Sequence, residues 1–396
     1  MAEQNYTVNG FMAAAVNAGL RKGDGLDLAL IFSERPAAAA GVFTTNQVKA
    51  APVLVSRRHI QDGQARAIVA NAGNANACTG ASGLRNAGLT AEKAADALGV
   101  SPGEVMVAST GVIGAPLNME RISTALPGLV SALSAQGIPD AARAIMTTDS
   151  FPKLGVFDGQ ADGKPYRMVG FAKGAGMIMP HMATMLCFIL SDIAIPGHVL
   201  NQALMPSVEA TFNRITVDGD TSTNDMVLVM ANGAAENHAL SSSDLDAFKN
   251  GLQGMMAALS RMIVKDGEGA TKVVDVKLRN ARTPADAAVA VRTVANSSLV
   301  KTAFYGQDPN WGRILAALGR AGIDMVEARV DIWVSDVQIV SGGLGLGAEA
   351  EKQAAVMMKG PEFILTIDLH NGTCCDHMLT CDLTHDYVSI NADYRT

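Results

Sequence analysis

The chain has 396 residues, 48% hydrophobic and only 17% charged, with 39 glycines; that is material for two or three domains with buried cores and excludes a disordered or fibrous chain. A formal net charge of −7, with no basic cluster interleaved with aromatics, removes the usual electrostatic source of nucleic-acid binding. The start lacks a basic n-region, no uncharged apolar run reaches about eighteen residues, the histidines show no ligand spacing, and Cys78, Cys187, Cys374, Cys375 and Cys381 form no CxxC pair; the pattern argues against export, a membrane span, a metal site or a disulfide framework, and for reduced thiols in a cytosol.

In chain order, residues 26–32 and 40–44 read as strands separated by Glu34, Arg35 and Pro36, with 53–56 and 67–69 continuing the sheet. Residues 71–80, NAGNANACTG, mix glycine and asparagine, which tolerate unusual backbone angles and offer local donors; the stretch is a structural turn or a functional loop. A helix over 90–98 precedes a strand over 104–108 that ends in Ser109, Thr110 and Gly111. There a hydroxyl and backbone amides form either an ordinary turn or donors for a developing oxyanion. Helices over 122–133 and 140–146 follow, the second leading into Thr147, Thr148 and Asp149.

The centre of the chain is KGAGMIMPHMATMLCFILSD, residues 173–192. Gly174, Gly176 and Pro180 interrupt regular structure, and 185–190 is an apolar run fit for one buried strand, so Thr184 heads that strand. This threonine is either a β-former at a loop–strand junction or a nucleophile. If the Ala183–Thr184 bond is cut, its α-amine stands beside its own hydroxyl.

A helix over 199–212 leads to NRITVDGDTSTNDMVLVMANG, whose Asp218, Asp220 and Asp225 lack the glycine and distal glutamate of a calcium loop. Ser243 with Asp246 reads as a capping box for a helix over about 244–264, which ends near DGEG, where Glu268 faces either solvent or a cationic amine. Asp308 and Pro309 read as N-cap and first residue of another helix. A helix over 349–358 and strands over 363–368 and 378–382 precede a polar end, Asn391 to Thr396, of the kind that ordinarily frays. Helices mixed with short, largely non-βαβ strands indicate an α+β fold.

NAGNANACTG, STGVIG, MTTD, KGAGM followed by Pro180 and ATML, NRITVDGDTSTND, DGEGA, PNWGR and the terminal NADYRT together resemble the ornithine acetyltransferase family of arginine biosynthesis, over nearly the whole chain. His181 departs from the Asn, Asp or Ser expected after the proline. The resemblance implies layered α/β/β/α packing with two lobes around a cleft, and autocleavage between Ala183 and Thr184. That would give an α chain (1–183) and a β chain (184–396), assembled as a cytoplasmic heterotetramer of two of each. It implies Thr184 as nucleophile, the Thr110 side chain and Gly111 N–H as oxyanion hole, and Thr147, Thr148, Lys173, Thr184, Glu268, Asn391 and Thr396 as substrate contacts.

The implied reaction moves acetyl from N2-acetyl-L-ornithine to L-glutamate through an acetyl-threonine. No metal or cofactor is implied, and acetyl-CoA stands open as a second donor. Small-molecule substrates and a second copy of the chain are the expected partners, with neither nucleic acid nor membrane among them. Two other readings stand beside this one: an aminopeptidase or amidohydrolase of the same self-cleaving architecture, in which water takes the acyl group, and a scaffold without chemistry. The intact set of Thr184, Thr110, Gly111 and Lys173 weighs against the scaffold.

Overall fold

The computed structural model describes residues 4–179 and 185–393. They form two compact units, one from the residues up to Asn213 with Asp220–Ile263, the other from Arg214–Gly219 and the chain from Val264 onward. In chain order the first contains β1 (Phe11–Val16), β2 (Leu28–Phe43), α1 (Ala51–His59), β3 (Gln64–Asn71), α2 (Gly80–Leu98), β4 (Val105–Ser109), α3 (Met119–Ser131), α4 (Ile138–Ala144), β5 (Lys153–Ala161), β6 (Lys164–Lys173), β7 (Leu186–Ser191), α5 (Gly197–Ala210) and β8 (Met226–Ala231), and α6 (Ser242–Lys265) closes it. Its strands run β4-β3-β2-β8-β7-β6-β5, with β1 also on β2.

β2 makes this one sheet do the work of two. Residues 28–32 pair with β3 and residues 38–43 with β8, and the register breaks between Phe32 and Ala37. Glu34, Arg35 and Pro36 occupy the break and are exposed. Proline has no amide hydrogen for a ladder, so a bulge is where it costs least. The sequence pattern suggests two strands and a turn at this point; the backbone instead runs through as a single strand.

The two half-sheets face a shared core. Phe11, Ile31, Ile68 and Met106 from one half join Phe171, Phe188, Leu190 and Leu228 from the other, with Ile138 and Ile145 at α4. Phe171 meets Phe188 edge to face at 5.5 Å, a geometry that adds about 0.5–1.5 kcal/mol to simple burial. Behind the first half, Leu28, Leu30, Val69 and Val107 pack on Val55, Ala91 and Ile122 of α1, α2 and α3. Behind the second, Phe248 of α6 lies 6.2 Å from Tyr166 of β6. These are the α/β/β/α layers that the family resemblance implies. They also explain why β7 reads as an unbroken apolar run: Leu186, Phe188 and Leu190 enter the shared core while Cys187 and Ile189, on the other face, are equally buried.

The second unit continues with β9 (Val273–Ala281), α7 (Pro284–Ala295), α8 (Ser298–Tyr305), α9 (Trp311–Gly319), β10 (Asp331–Val334), β11 (Val337–Ser341), β12 (Leu344–Gly345), α10 (Ala348–Met357), β13 (Glu362–Asp368), β14 (Cys374–Cys381) and α11 (His385–Asp393). Its strand order is β12-β11-β10-β13-β9-β14, with only β9 and β13 parallel among the described pairs. Val276, Leu278, Val291, Phe304, Ile332 and Leu365 anchor its core.

Three local expectations change. Residues 53–56 belong to helix α1, not to the sheet, and Pro52 in the first turn is the signal for it. The capping box of α6 lies two residues earlier than expected. Ser241 Oγ accepts from Asp244 N–H at 3.1 Å and Asp244 Oδ2 accepts from Ser241 N–H at 2.9 Å. The N-cap of α9 is Asn310, whose side chain accepts from Arg313 N–H at 3.2 Å, so Asp308 and Pro309 precede the helix.

Two glycines test this packing in opposite directions. A Cβ at Gly137 would fall 1.8 Å from the Ala13 carbonyl oxygen, which is backbone and cannot swing aside, whereas one at Gly88 in α2 would meet nothing within 4 Å. Gly137→Ala should therefore lose about 1–3 kcal/mol or more in urea unfolding, and Gly88→Ala should gain about 0.5–1 kcal/mol.

Candidate active site

The site in the first unit begins where two parallel strands end. Beyond β3 the loop 71–80 folds back on the turn that follows β4: Thr110 N–H donates to Asn71 O (2.9 Å), Ala75 N–H to Val112 O (2.9 Å) and Ser109 Oγ to Asn71 Oδ1 (2.6 Å). Asn74 Nδ2 donates to Ala115 O and Pro116 O, and Asn76, at φ +47°, donates through Nδ2 to Gly83 O. Gly111 has φ +126°, and a Cβ there would come within 2.4 Å of the Gly73 carbonyl carbon. Only glycine fits. The glycines and asparagines are thus spent on bringing two main chains into contact, which leaves Thr110 and Gly111 fixed at the strand end.

Asn224 locks this arrangement from the loop before β8. Its Nδ2 donates to Ala75 O at 2.6 Å and to Ser109 O at 2.8 Å, and its Oδ1 accepts from Thr223 Oγ1. Asp225, next in sequence, is buried, and among the described residues its Oδ2 has no hydrogen-bond partner. Burial raises its pKa well above the usual carboxylate range, against the opposing pull of the Met185 N–H, the Ser222 hydroxyl, the Lys173 ammonium and the Thr44 hydroxyl.

Lys173, the last residue of β6, is 9% exposed and brings the predicted groups together. Its Nζ donates to Thr110 Oγ1 at 3.0 Å and to Thr147 Oγ1 at 2.9 Å. Of the two threonines expected in the pocket it is Thr147 that receives the bond; Thr148 lies beside it, half-buried. Asp149 organises the surroundings. Its Oδ1 accepts from Lys153 Nζ at 2.7 Å and from Gly174 N–H at 2.6 Å, and its Oδ2 from Thr147 N–H at 3.0 Å. Neither charged side chain of the Asp149–Lys153 pair is accessible to solvent. Burial alone would raise the Asp149 pKa, but the Lys173 and Lys153 ammoniums and the hydrogen bonds outweigh it and hold the group at about 2.

In the second unit Glu268 and Asn391 meet: Asn391 Nδ2 donates to Glu268 Oε2 at 2.7 Å and to Tyr387 O at 3.0 Å. Asn391 lies on α11, so the polar end is helical to Asp393. Thr384 Oγ1 donates to Gly269 O at 2.8 Å, and Asp382 accepts from Thr271 N–H and Lys272 N–H, so the DGEGA turn is held by the segment that leads into α11.

The structure therefore assembles Thr110, Gly111, Thr147 and Lys173 in one unit and Glu268 with Asn391 in the other. Ala183, Thr184 and Thr396 lie outside the described residues. Asp149 and Asn224 lie in motifs named above without a role of their own, and Lys153 lies outside every motif. Their signal was faint: an acid and a lysine four residues apart in a chain poor in charge, and an amide inside a run of polar residues. Among the described residues no group of three or more His, Cys, Asp or Glu side chains has the arrangement to hold a metal ion, and no helix is long and apolar enough to cross a membrane.

Comparison with known proteins places this geometry in a family. The ArgJ family model matches residues 12–396. The arginine biosynthesis bifunctional protein ArgJ of Desulfotalea psychrophila is 50% identical over 391 residues, covering 98% of this chain and all of that one, and its counterpart in Geobacter sulfurreducens is equally similar with the same coverage. The chain belongs to the ArgJ family. Among solved structures, the Bacillus halodurans bifunctional protein ArgJ matches with TM-score 0.49 at 40% identity, over 51% of this chain and 96% of that one. An ornithine acetyltransferase from Mycobacterium tuberculosis, complexed with ornithine, matches with TM-score 0.40 at 40% identity, over 45% and 95%.

The Asp149–Lys153 pair yields a stability prediction. Asp149→Asn removes the carboxylate that the buried Lys153 ammonium binds at 2.7 Å and should cost about 3–5 kcal/mol in urea unfolding at neutral pH; adding Lys153→Met should restore much of it. Because the folded-state pKa of Asp149 is depressed to about 2, its contribution is complete above about pH 4 and lost as pH falls through the folded value. The gap between wild type and Asp149→Asn should narrow over that window.

Proposed function

We propose that this protein is a self-processing acetyltransferase of arginine biosynthesis that transfers acetyl from N2-acetyl-L-ornithine to L-glutamate through an acetyl ester on Thr184. The observation that carries the reading is the cluster at the end of β4. There Thr110 and Gly111 are fixed side by side next to a buried ammonium, the donor arrangement that acyl transfer requires where a carbonyl oxygen gains charge. Membership of the ArgJ family over residues 12–396 supplies the reaction class.

The chemistry uses one nucleophile twice. In processing, the Thr184 hydroxyl oxygen bonds to the Ala183 carbonyl carbon and the peptide C–N bond breaks as the nitrogen takes a proton, which frees the α-amine of Thr184; water then cleaves the resulting ester, releasing the Ala183 carboxylate and regenerating the hydroxyl. In turnover, that amine accepts the hydroxyl proton as the oxygen attacks the acetyl carbonyl, and returns it to the departing amine of ornithine. The amine of glutamate then attacks the acetyl-threonine, and the hydroxyl is regenerated. Thr110 and Gly111 donate to each tetrahedral oxyanion. Thr147, Thr148 and Lys173 bind the substrate in the first unit. Glu268 takes the substrate's cationic amine, and Asn391 with Thr396 contacts its amino-acid part. The enzyme works in the cytoplasm as a tetramer of two α chains (1–183) and two β chains (184–396), with no cofactor in the scheme.

Water as the acceptor, the hydrolase alternative, is not favoured, because relatives at 50% identity over 98% of the chain carry the arginine biosynthesis name. Intact mass spectrometry of the purified protein should find two chains, the second beginning at Thr184. Given N-acetylornithine and glutamate, the processed protein should release ornithine and N-acetylglutamate in equal amounts over many turnovers. Without glutamate, ornithine should stop at about one equivalent per site. Sustained release without glutamate would mark a hydrolase, and the same assay with acetyl-CoA in place of N-acetylornithine reports whether it serves as a second donor.

A further inference from the structure

The direction of one hydrogen bond can be assigned without seeing its hydrogen. Lys173 Nζ is 3.0 Å from Thr110 Oγ1, and an ammonium carries protons but no lone pair, so Lys173 donates and Thr110 accepts. The hydroxyl still owns one proton, which cannot point back at the lysine. Among the described residues that proton meets no acceptor. Thr147 Oγ1 takes a second bond from the same ammonium at 2.9 Å, and Asp149 fixes the main chain beside both partners, at Thr147 N–H and Gly174 N–H. Lys173 and Thr110 are each 9% exposed, so little water competes for these bonds, and in such surroundings each polarises the next.

We propose that Lys173 is a positioning residue for Thr110: by occupying a lone pair of the hydroxyl oxygen, its ammonium turns the hydroxyl proton toward the carbonyl oxygen under attack and strengthens it as a donor. This rests on Thr110 being the oxyanion donor proposed above. No bond to Lys173 forms or breaks, and the lysine keeps its protons throughout. A lysine that only held substrate would act mainly on KM and would act whether or not residue 110 has a hydroxyl. A lysine acting through Thr110 lowers kcat when removed, and that effect disappears with the hydroxyl.

The test is a double-mutant cycle on the full chain, with kcat and KM for transfer from N-acetylornithine to glutamate expressed per processed protein, as measured by intact mass. Lys173→Met should lower kcat by about tenfold or more in the wild-type and Thr110→Ser backgrounds, the loss of one charged hydrogen bond, but by less than about twofold in Thr110→Ala. An equal drop in all three backgrounds overturns the proposal. Thr110→Val, close in shape and without the hydroxyl, replaces Thr110→Ala if the latter does not fold, and for variants that are not processed the same comparison is made on the cleavage rate. If removing the Thr110 hydroxyl alone leaves kcat unchanged, the oxyanion reading fails first, an outcome distinct from equal effects of Lys173→Met.

Discussion

Two lysine ammoniums are buried in the first unit, Lys153 at 0% and Lys173 at 9% exposure, and the local structure depends on how they are compensated. Taking a charge out of water costs several kcal/mol even after relaxation, so each needs partners that do not move. Asp149 serves both: it binds Lys153 directly, and its field acts on Lys173. The remaining valence of that carboxylate goes to two backbone amides, one on each segment carrying a predicted substrate contact. Solvating the charge and aligning the site are one structural event.

The fold supplies the frame. Because β2 spans the bulge at Pro36 and pairs with β3 on one side and β8 on the other, the loop after β3, the turn after β4 and the loop before β8 are parts of one sheet system. Asn224 can then reach Ala75 O and Ser109 O with a single amide. A site on strand ends braced by buried hydrogen bonds holds its geometry better than one on free loops, as electrostatic stabilisation of a transition state requires.

Much of this was legible in the sequence and some was not, for physical reasons. The run 185–190 is apolar at every position because both of its faces are buried, and it appears as β7. The loop 71–80 showed itself through glycine and asparagine. Thr110, Gly111, Thr147, Lys173, Glu268 and Asn391 were named from motifs, and the hydrogen bonds show which of them lie together. Residues 53–56 misled because a short apolar run has no period that separates strand from helix. Asn224 escaped because its partner Ser109 is 115 positions away, and Asp149 because acids near lysines are usually solvated pairs of small consequence. Only burial gives that pair its weight.

If acetyl passes through a covalent ester on Thr184, the mass of the chain beginning at that residue must record it. Processed protein is mixed with N-acetylornithine alone, quenched in acid and weighed. This chain should gain the mass of one acetyl group, the gain should map to Thr184, and glutamate added before the quench should remove it as N-acetylglutamate appears. Ornithine formed only when glutamate is present, with no acetylated chain at any quench time, would contradict it and point to direct transfer in a ternary complex.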